Sequence, residues 1–376
     1  MRLAAAIASF SLAAAVAAGG ASASSGVVGH LYVNDNTVGT NTIAAFDRNA
    51  DGSLTPMHGS PFAVGGVGTG TGIGSQGALQ ITSDGKYLLA VDSGSNEISV
   101  LRIDRDGELA SVGGGPVSSG GITPVSIAVH GRLVYVANVG DGGTNYTGFM
   151  LNPGGHLRPL ARSTIALPVG SSPGDVVFNS DGTRLVGAEV GTSVIDSFLV
   201  GPDGLLTAGS GSPFAAQGPG PFGSEFRPTD PTQLFVSNAH GGAGNGSVSA
   251  FSDGIDGALA PIGSSPFPDF QTAPCWVEIS HDGQFLFTVN TGSNSIARYA
   301  IAADGSLSLL GSTSLGSVVL GAEDARLAPD GETLWVVGTG ARAVSAFTVN
   351  GGELTQLPSS PKALPAGSAP FGIVVT

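Results

Sequence analysis

Residues 274–310 read PCWVEISHDGQFLFTVNTGSNSIARYAIAADGSLSLL, a stretch with four β-rich runs and a polar turn between successive runs. The third run, at 295–301, alternates with the period of two that is typical of a half-buried strand. Two of the turns contain Asp-Gly, at Asp282-Gly283 and Asp304-Gly305, and Asp-Gly between β-rich runs is a strong hairpin signal. The stretch therefore predicts a four-stranded antiparallel meander, with strands over 274–279, 285–290, 295–301 and 307–310.

The second run of this unit recurs along the whole chain. In each copy a short apolar segment stops at a polar or small residue, and a turn rich in glycine or asparagine follows. Copies at roughly 50-residue spacing indicate a repeat array. One four-stranded sheet cannot bury both of its faces, whereas in a ring each sheet packs between two neighbours. The sequence therefore predicts an all-β fold, a seven-bladed β-propeller of four-stranded antiparallel blades. The seven copies are Leu31–Asn34, Leu88–Asp92, Val134–Asn138, Leu185–Glu189, Leu234–Asn238, Leu286–Asn290 and Leu334–Gly338.

The two ends of the chain predict how this ring closes. The first copy, Leu31–Asn34, has no first strand before it, and an unaccompanied first strand follows the last complete unit at 370–375. Since the two orphans complete one blade, we expect the N- and C-terminal strands to share it. Residues 24–376 are then one propeller domain.

The first residues have the pattern of a secretory signal peptide. Arg2 precedes the apolar stretch 3–18, and Ala21-Ser22-Ala23 offers a small-residue cleavage site. We expect residues 1–23 to be removed and the protein to be secreted or periplasmic. The lone cysteine, Cys275, excludes an intramolecular disulfide, and we expect it to be a buried small residue.

Composition limits the partners of this chain. There are 28 acidic and 14 basic residues, a net charge of −14, and the basic residues form no cluster. Nucleic acids and anionic membranes are bound by clustered positive charge, so we expect neither as a partner. Beyond the signal pattern no stretch approaches the ~20 apolar residues of a membrane span. We expect a monomer whose partner is a small polar molecule or a component of the extracellular surface.

The repeat motifs resemble those of the lactonase-type seven-bladed propellers. This family includes 6-phosphogluconolactonase-like and carboxymuconate-cyclase-like enzymes, and it grades into surface propellers with Y-V-T-N repeats. The resemblance covers essentially the whole mature chain and implies the propeller fold, but a fold does not by itself carry an activity. It rests on the runs that end in Asn, the Asp-Gly turns and the Ser-Pro-Phe endings at 60–62, 212–214 and 265–267.

The resemblance also implies catalytic positions, and three of them are changed here. Enzymes of the family carry Gly-Pro-Arg-His at the start of one first strand and a Glu after the Asn that ends the following second strand. In this sequence Phe222, Gly223 and Ala239 stand at the positions of that Arg, His and Glu. These changes remove both an acid or base and a cation for the developing oxyanion. His240, one residue further on, could replace part of that chemistry.

Aligning the first strands on their Asp-Gly turns predicts what lines the central channel. The seven equivalent positions are Gln80, Ala128, Val177, Glu225, Glu278, Arg326 and Val374, and the positions two residues earlier are Ala78, Ser126, Asp175, Gly223, Trp276, Asp324 and Gly372. Acidic side chains are rarely buried without a partner, so the channel is expected to hold water, ion pairs or a ligand. The candidate catalytic residues are Glu225, Glu278, Arg326 and His240, and the candidate ligand-binding residues are Asp175, Trp276, Asp324 and Glu189. The alternative is a structural ion-pair network.

The predicted channel mouth, where the second strands end, is rich in oxygen ligands such as Asn34, Asp92 and Asn238. These residues are typical turn formers. We expect no cofactor and no metal, a channel Ca²⁺ ion being the alternative. Gly68–Gly74 is interpreted as an inter-blade loop over the mouth, and a lid is one alternative for it.

Two functions follow. The first is a secreted lactonase-like propeller that binds a small polar ligand or partner at the mouth, with the family's catalytic positions substituted. The alternative is an active lactone hydrolase or cycloisomerase with a rearranged channel site.

Overall fold

The computed structural model describes residues 26–316 and 321–376, and the regular structure in these ranges is β-strand. The strands form seven small antiparallel sheets, numbered here as blades 1 to 7 in chain order of their innermost strands. The predicted signal peptide lies outside the described residues. Innermost strands are Leu79–Ile81, Pro124–His130, Pro173–Phe178, Pro221–Arg227, Pro274–Ile279, Ala322–Leu327 and Ile373–Val375. Second strands are Tyr87–Asp92, Leu133–Asn138, Arg184–Glu189, Asp230–Asn238, Phe285–Asn290, Thr333–Gly338 and Val27–Asn34. Third strands are Glu97–Ile103, Asn145–Leu151, Val194–Val200, Ser247–Asp253, Ser295–Ile301, Ala343–Asn350 and Thr42–Asn49.

The fourth, outer position differs between blades. In blade 5 it is one strand, Leu307–Ser314, whereas in the other six blades two short strands pair with the third strand. Where the outer strand breaks, a serine hydroxyl accepts the hydrogen bond of a third-strand N–H, for example Ser60 from Ala45 at 2.9 Å and Ser265 from Ala250 at 2.7 Å. The Ser-Pro-Phe endings therefore keep the edge of the sheet hydrogen-bonded. The outer strands are Leu109–Ser111 with Val117–Ser118, Leu157–Pro159 with Ile165–Ala166, Leu206–Ala208 with Phe214–Ala215, Leu259–Pro261 with Phe267–Pro268, Glu353–Gln356 with Lys362–Ala363 and Leu54–Pro56 with Phe62–Ala63.

Blade 7 is built from both ends of the chain, as predicted. Ile373–Val375 pairs antiparallel with Leu31–Val33. The Arg48 guanidinium donates to the Thr376 carbonyl from Nε and Nη2 at 3.1 and 2.8 Å. The preceding Phe371 is fully buried. The seven-bladed fold and its closure are therefore confirmed.

Each blade is tied to the next by the same kind of hydrogen bond. A side chain from one blade donates to a backbone carbonyl in the turn that joins the third and outer strands of the following blade. Each such bond contributes about 1 kcal/mol net, and the apolar core lies between the same blade faces. The pairs are Tyr32 to Gly107, Tyr87 to Pro153, Tyr135 to Gly204, Arg184 to Gly254, Arg227 to Ala302, Arg298 to Gly352 and Ser359 to Gly52.

The central channel has two ends, called here the turn face and the loop face. The turn face carries the turns between first and second strands, such as 179–183, and the loop face carries the connections between blades, such as 64–78. No helix of the described residues is long and apolar enough to cross a membrane.

Candidate functional site

The strand register agrees with the alignment of the channel positions. Glu225 pairs with Phe235, Glu278 with Phe287 and Arg326 with Trp335, and each of these partners is the fourth residue from the loop-face end of its second strand. Because successive side chains of a strand alternate between faces, residues at equivalent register point the same way. Glu225, Glu278 and Arg326 therefore lie side by side on three consecutive blades.

Arg326 and Glu278 form an ion pair. Arg326 Nη1 donates to Glu278 Oε2 at 2.8 Å, and the Leu327 N–H donates to Oε1 at 2.7 Å. The Glu278 side chain is only 6% exposed, whereas 24% of the Arg326 side chain remains accessible. Burial lowers the pKa of Arg326, but Glu278, Asp324 and Glu225 outweigh it, so the pKa rises. The guanidinium therefore keeps its charge and still has surface for a ligand.

Glu225 lies beside this pair and forms no ion pair with any residue that the structure describes. Burial, and then the charge of Glu278, raise its pKa well above the ordinary value, although Arg326 opposes the shift. Its Oε2 is buried and has no hydrogen-bond partner among the described residues. Burial therefore favours the protonated form of Glu225, and in that form its carboxyl group can donate a hydrogen bond to a ligand.

Asp175 and Asp324 complete the cluster. Asp175 Oδ2 accepts from the Ser224 N–H at 2.9 Å and hydroxyl at 2.6 Å, and Oδ1 accepts from the Ser126 hydroxyl at 3.2 Å. Burial raises the pKa of Asp175 to about 6, with the Ser224 hydrogen bonds opposing it. Burial also raises the pKa of Asp324 to about 7, against the effect of Arg326. The cluster thus holds several buried carboxyl groups whose pKa values are all raised by burial.

A cavity of about 370 Å³ leads to this cluster from the turn face. Asp175, Glu225 and Arg326 line its inner part. Its rim includes Ser180 and Pro228, which are exposed and belong to turns between first and second strands. The cavity therefore opens on the face opposite to the mouth at which the sequence placed the site.

The fold and its channel agree with one known family. The sequence profile described as "Lactonase, 7-bladed beta-propeller" matches residues 30–163 and 226–374. The chain belongs to the lactonase family. The unmatched interval of this lactonase-family propeller, 164–225, contains Phe222 and Gly223, two of the three changed positions.

Solved structures of lactonase-family and related propellers share its architecture. A proposed 6-phosphogluconolactonase from Bacteroides uniformis has 22% identity and a TM-score of 0.74, with 93% of this chain and 99% of that chain covered. A second, from Bacteroides fragilis, has 21% identity, a TM-score of 0.76 and coverage of 94% and 99%. The periplasmic gluconolactonase PpgL of Pseudomonas aeruginosa has 18% identity, a TM-score of 0.72 and coverage of 92% and 98%. At these identities the likeness shows the fold alone. No curated protein matches the chain significantly.

Three sequence-predicted site residues lie apart from the cavity of this lactonase-family propeller. Trp276 is buried in the loop-face half of the channel, where its ring packs against Phe222 with centroids 5.5 Å apart. His240 is exposed on the loop face, and its ring lies over Gly220. Glu189 lies within blade 3, where it accepts from the Thr192 hydroxyl. Glu225, Glu278, Arg326, Asp175 and Asp324 are the predicted residues that the fold brings together.

Asn34 and Asp92, two of the oxygen-rich residues of the predicted mouth, form hydrogen bonds to other protein groups. Asn34 Nδ2 donates to the Val91 carbonyl at 3.1 Å, and Asp92 accepts from Asn41 at 2.9 Å and from Ser99 at 2.6 Å. These side chains therefore join blade 7 to blade 1. Within 26–316 and 321–376, no group of three or more His, Cys, Asp or Glu side chains is arranged to hold a metal. Cys275 is buried, as predicted.

Two glutamines that line the cavity, Gln76 and Gln80, were not among the candidates. Gln80 stood in the alignment but carries no charge. Gln76 lies just before the first strand of blade 1, in a segment without periodicity. The sequence indicates Gln76 only indirectly, through Gly223 on the opposite side of the channel, which has no side chain and so leaves space for the Gln76 amide.

Proposed function

We propose that this lactonase-family propeller is an exported protein that binds a small uncharged lactone in the turn-face cavity and opens its ring. The observation that carries this proposal is that Glu225, Asp175 and Arg326 line one cavity. Burial raises the pKa of both carboxyl groups, and two carboxyl groups in different surroundings can share the roles of acid and base.

The charge of the cavity favours an uncharged ligand over a phosphorylated one. The cluster contains one guanidinium, already paired with Glu278, and three more carboxyl groups. Even with Glu225 protonated, a dianionic phosphate would meet carboxylates and find little free positive charge. A neutral sugar lactone instead offers hydroxyls and a carbonyl, which a carboxyl group and a guanidinium can bind.

Each group has a definite role in ring opening. Asp175 takes a proton from the attacking water as its oxygen bonds to the lactone carbonyl carbon. Arg326 stabilises the negative oxygen of the tetrahedral intermediate. When the bond between the carbonyl carbon and the ring oxygen breaks, Glu225 gives its proton to that oxygen. The product is the hydroxy acid, and a proton returns from Asp175 to Glu225 through solvent.

The test is acid release by the purified mature protein with glucono-1,5-lactone and its 6-phospho derivative, corrected for spontaneous hydrolysis. We expect turnover of the neutral lactone, which rises as the pH increases through about 6, where Asp175 ionises. Glu225→Gln should lower kcat by roughly 10²–10⁴-fold. His240→Ala is the matched control, since this exposed residue on the other face should not matter. Faster turnover of the phosphorylated lactone, or full activity of Glu225→Gln, would disprove the proposal.

Ligand binding without chemistry is the second candidate. Phe222, Gly223 and Ala239 stand where the family resemblance implies catalytic groups, and this favours a protein that has kept the cavity and lost the reaction. Calorimetric titration with gluconate and with a neutral polyol distinguishes the two. Binding that Glu225→Gln and Glu278→Gln weaken, with no turnover of any lactone, would support this candidate.

Export is proposed from the signal pattern at 1–23. N-terminal sequencing of the protein recovered from a secreting host should begin at Ser24. A chain that still starts at Met1 would contradict it.

A further inference from the structure

The segment before the first strand of blade 1 passes across the loop face of the channel. We define residues 65–77 as the plug. Gln76 lies at its inner end and is only 4% exposed. Its Oε1 accepts from the Val277 N–H at 3.0 Å, and its Nε2 donates to the Ser224 carbonyl at 3.1 Å. One side chain that starts in blade 1 therefore bonds to blades 4 and 5 on the far side of the channel.

Hydrogen bonds also fix the plug to blades 2 and 3, which lie between blade 1 and blade 4. The Gln76 N–H donates to the Gly174 carbonyl of blade 3 at 3.0 Å. The Ser75 hydroxyl is fully buried and donates to the Val125 carbonyl of blade 2 at 2.7 Å. These hydrogen bonds satisfy polar groups that would otherwise be buried without partners. The plug is therefore built into the ring.

Gly223 shows that the blades are shaped around this side chain. A Cβ atom at position 223 would lie 2.1 Å from Gln76 Oε1 and 2.5 Å from the Cys275 carbonyl. Any side chain at 223 would thus expel the Gln76 amide from its place. The position that the family resemblance assigns to a histidine is empty here because Gln76 occupies the space.

Aromatic side chains fill the channel around the plug. Phe222, Trp276 and Phe371 are buried in one apolar cluster, and Ile73 of the plug packs against it. Gln76 also lines the cavity that opens on the turn face. The plug thus separates this cavity from the solvent at the loop face.

We infer that the plug closes the channel at the loop face, so that solutes reach Arg326 only from the turn face. Gln76 then forms the closed end of the cavity and limits the length of its ligand. Membership of the lactonase family does not indicate which end of the channel is open to solvent. The inference concerns the same cavity as the proposed function, but it does not depend on turnover.

The test uses thiol labelling, so its failure is distinguishable from a failure of the proposed activity. Cys275→Ala removes the native thiol, and Val177→Cys places a thiol in the cavity wall, where Val177 is partly exposed. The probe is methyl methanethiosulfonate, which is small and uncharged. Ser180→Trp narrows the rim of the cavity at the turn face. Thr71→Trp places the same bulk on an exposed plug residue at the loop face.

We expect labelling of Val177→Cys to be retained with Thr71→Trp and lost with Ser180→Trp, down to the rate set by local opening of the ring. Pro228→Trp is a second rim variant, in case Ser180→Trp does not fold. Shortening the plug by deleting residues 69–73 in the Ser180→Trp background should restore labelling through the loop face. Loss of labelling with Thr71→Trp, or full labelling with both rim variants, would overturn the inference.

Discussion

Replacing Arg326 by leucine tests whether its charge holds the channel cluster together. The change leaves the Glu278 carboxylate, 6% exposed, with the Leu327 N–H as its remaining hydrogen-bond donor. Removing one partner of a buried ion pair costs about 3–5 kcal/mol. With an unfolding entropy of about 2.1 cal/mol/K per residue and about 350 folded residues, 1 kcal/mol corresponds to about 1.4 °C. We therefore expect the melting temperature of Arg326→Leu to fall by about 4–7 °C at pH 8.

The matched control is the double variant Arg326→Leu/Glu278→Leu. Replacing a whole buried pair by apolar residues is often close to neutral, so the double variant should melt nearer to the wild type than the single variant. Calorimetric scans of the three proteins at pH 8 measure this. An equal loss in the single and double variants would refute the charge argument and leave packing as the cause.

Three further predictions concern the rest of the ring. Gln76→Ala leaves buried hydrogen-bond donors and acceptors without partners and should lower the free energy of unfolding in urea by about 1–3 kcal/mol. The same change at Gln80, for which no side-chain hydrogen bond is found in the described residues, should lower it by less. Equal losses would contradict the structural role of the plug. Removal of 369–376 deletes the innermost strand of blade 7 and should abolish cooperative unfolding in circular dichroism, so a normal melt would speak against this closure. Burial raises the pKa of Asp196 and of Asp324 to about 7, so the folded protein binds protons at these residues more tightly than the unfolded chain. The stability that they contribute is therefore present below about pH 4 and lost as the pH rises through 7. Melting temperatures should rise from pH 8 to pH 5, and a flat or opposite profile would contradict these shifts.

Much of the fold could be predicted because each blade repeats the same local signals. The predicted strands 274–279, 285–290 and 295–301 have the bounds that the structure shows. The outer strand of that blade was predicted too short, at 307–310 in place of Leu307–Ser314. An outer strand has one neighbour and a weak apolar pattern, so its end depends on pairing that the sequence does not display.

The channel cluster was also predictable, because equivalent positions on neighbouring blades meet by symmetry. Glu225, Glu278 and Arg326 were brought together by counting from their turns alone. The open end of the channel could not be predicted in this way. It is decided by Gln76, whose partners Ser224 and Val277 are distant in sequence and bond to it through backbone groups that carry no residue signature.

Blade 7 contains strands from both ends of the chain, so it cannot be completed until synthesis ends. Blade 7 is the first sheet to be started during synthesis and the last to be completed, because Leu31–Val33 must wait for Ile373–Val375. Until then the growing polypeptide carries an unpaired β edge that could join another chain. We expect a factor that holds such a nascent chain to favour its folding until the closing segment has left the ribosome. For the export proposed above, the same delay keeps the ring open until the last strand has been made.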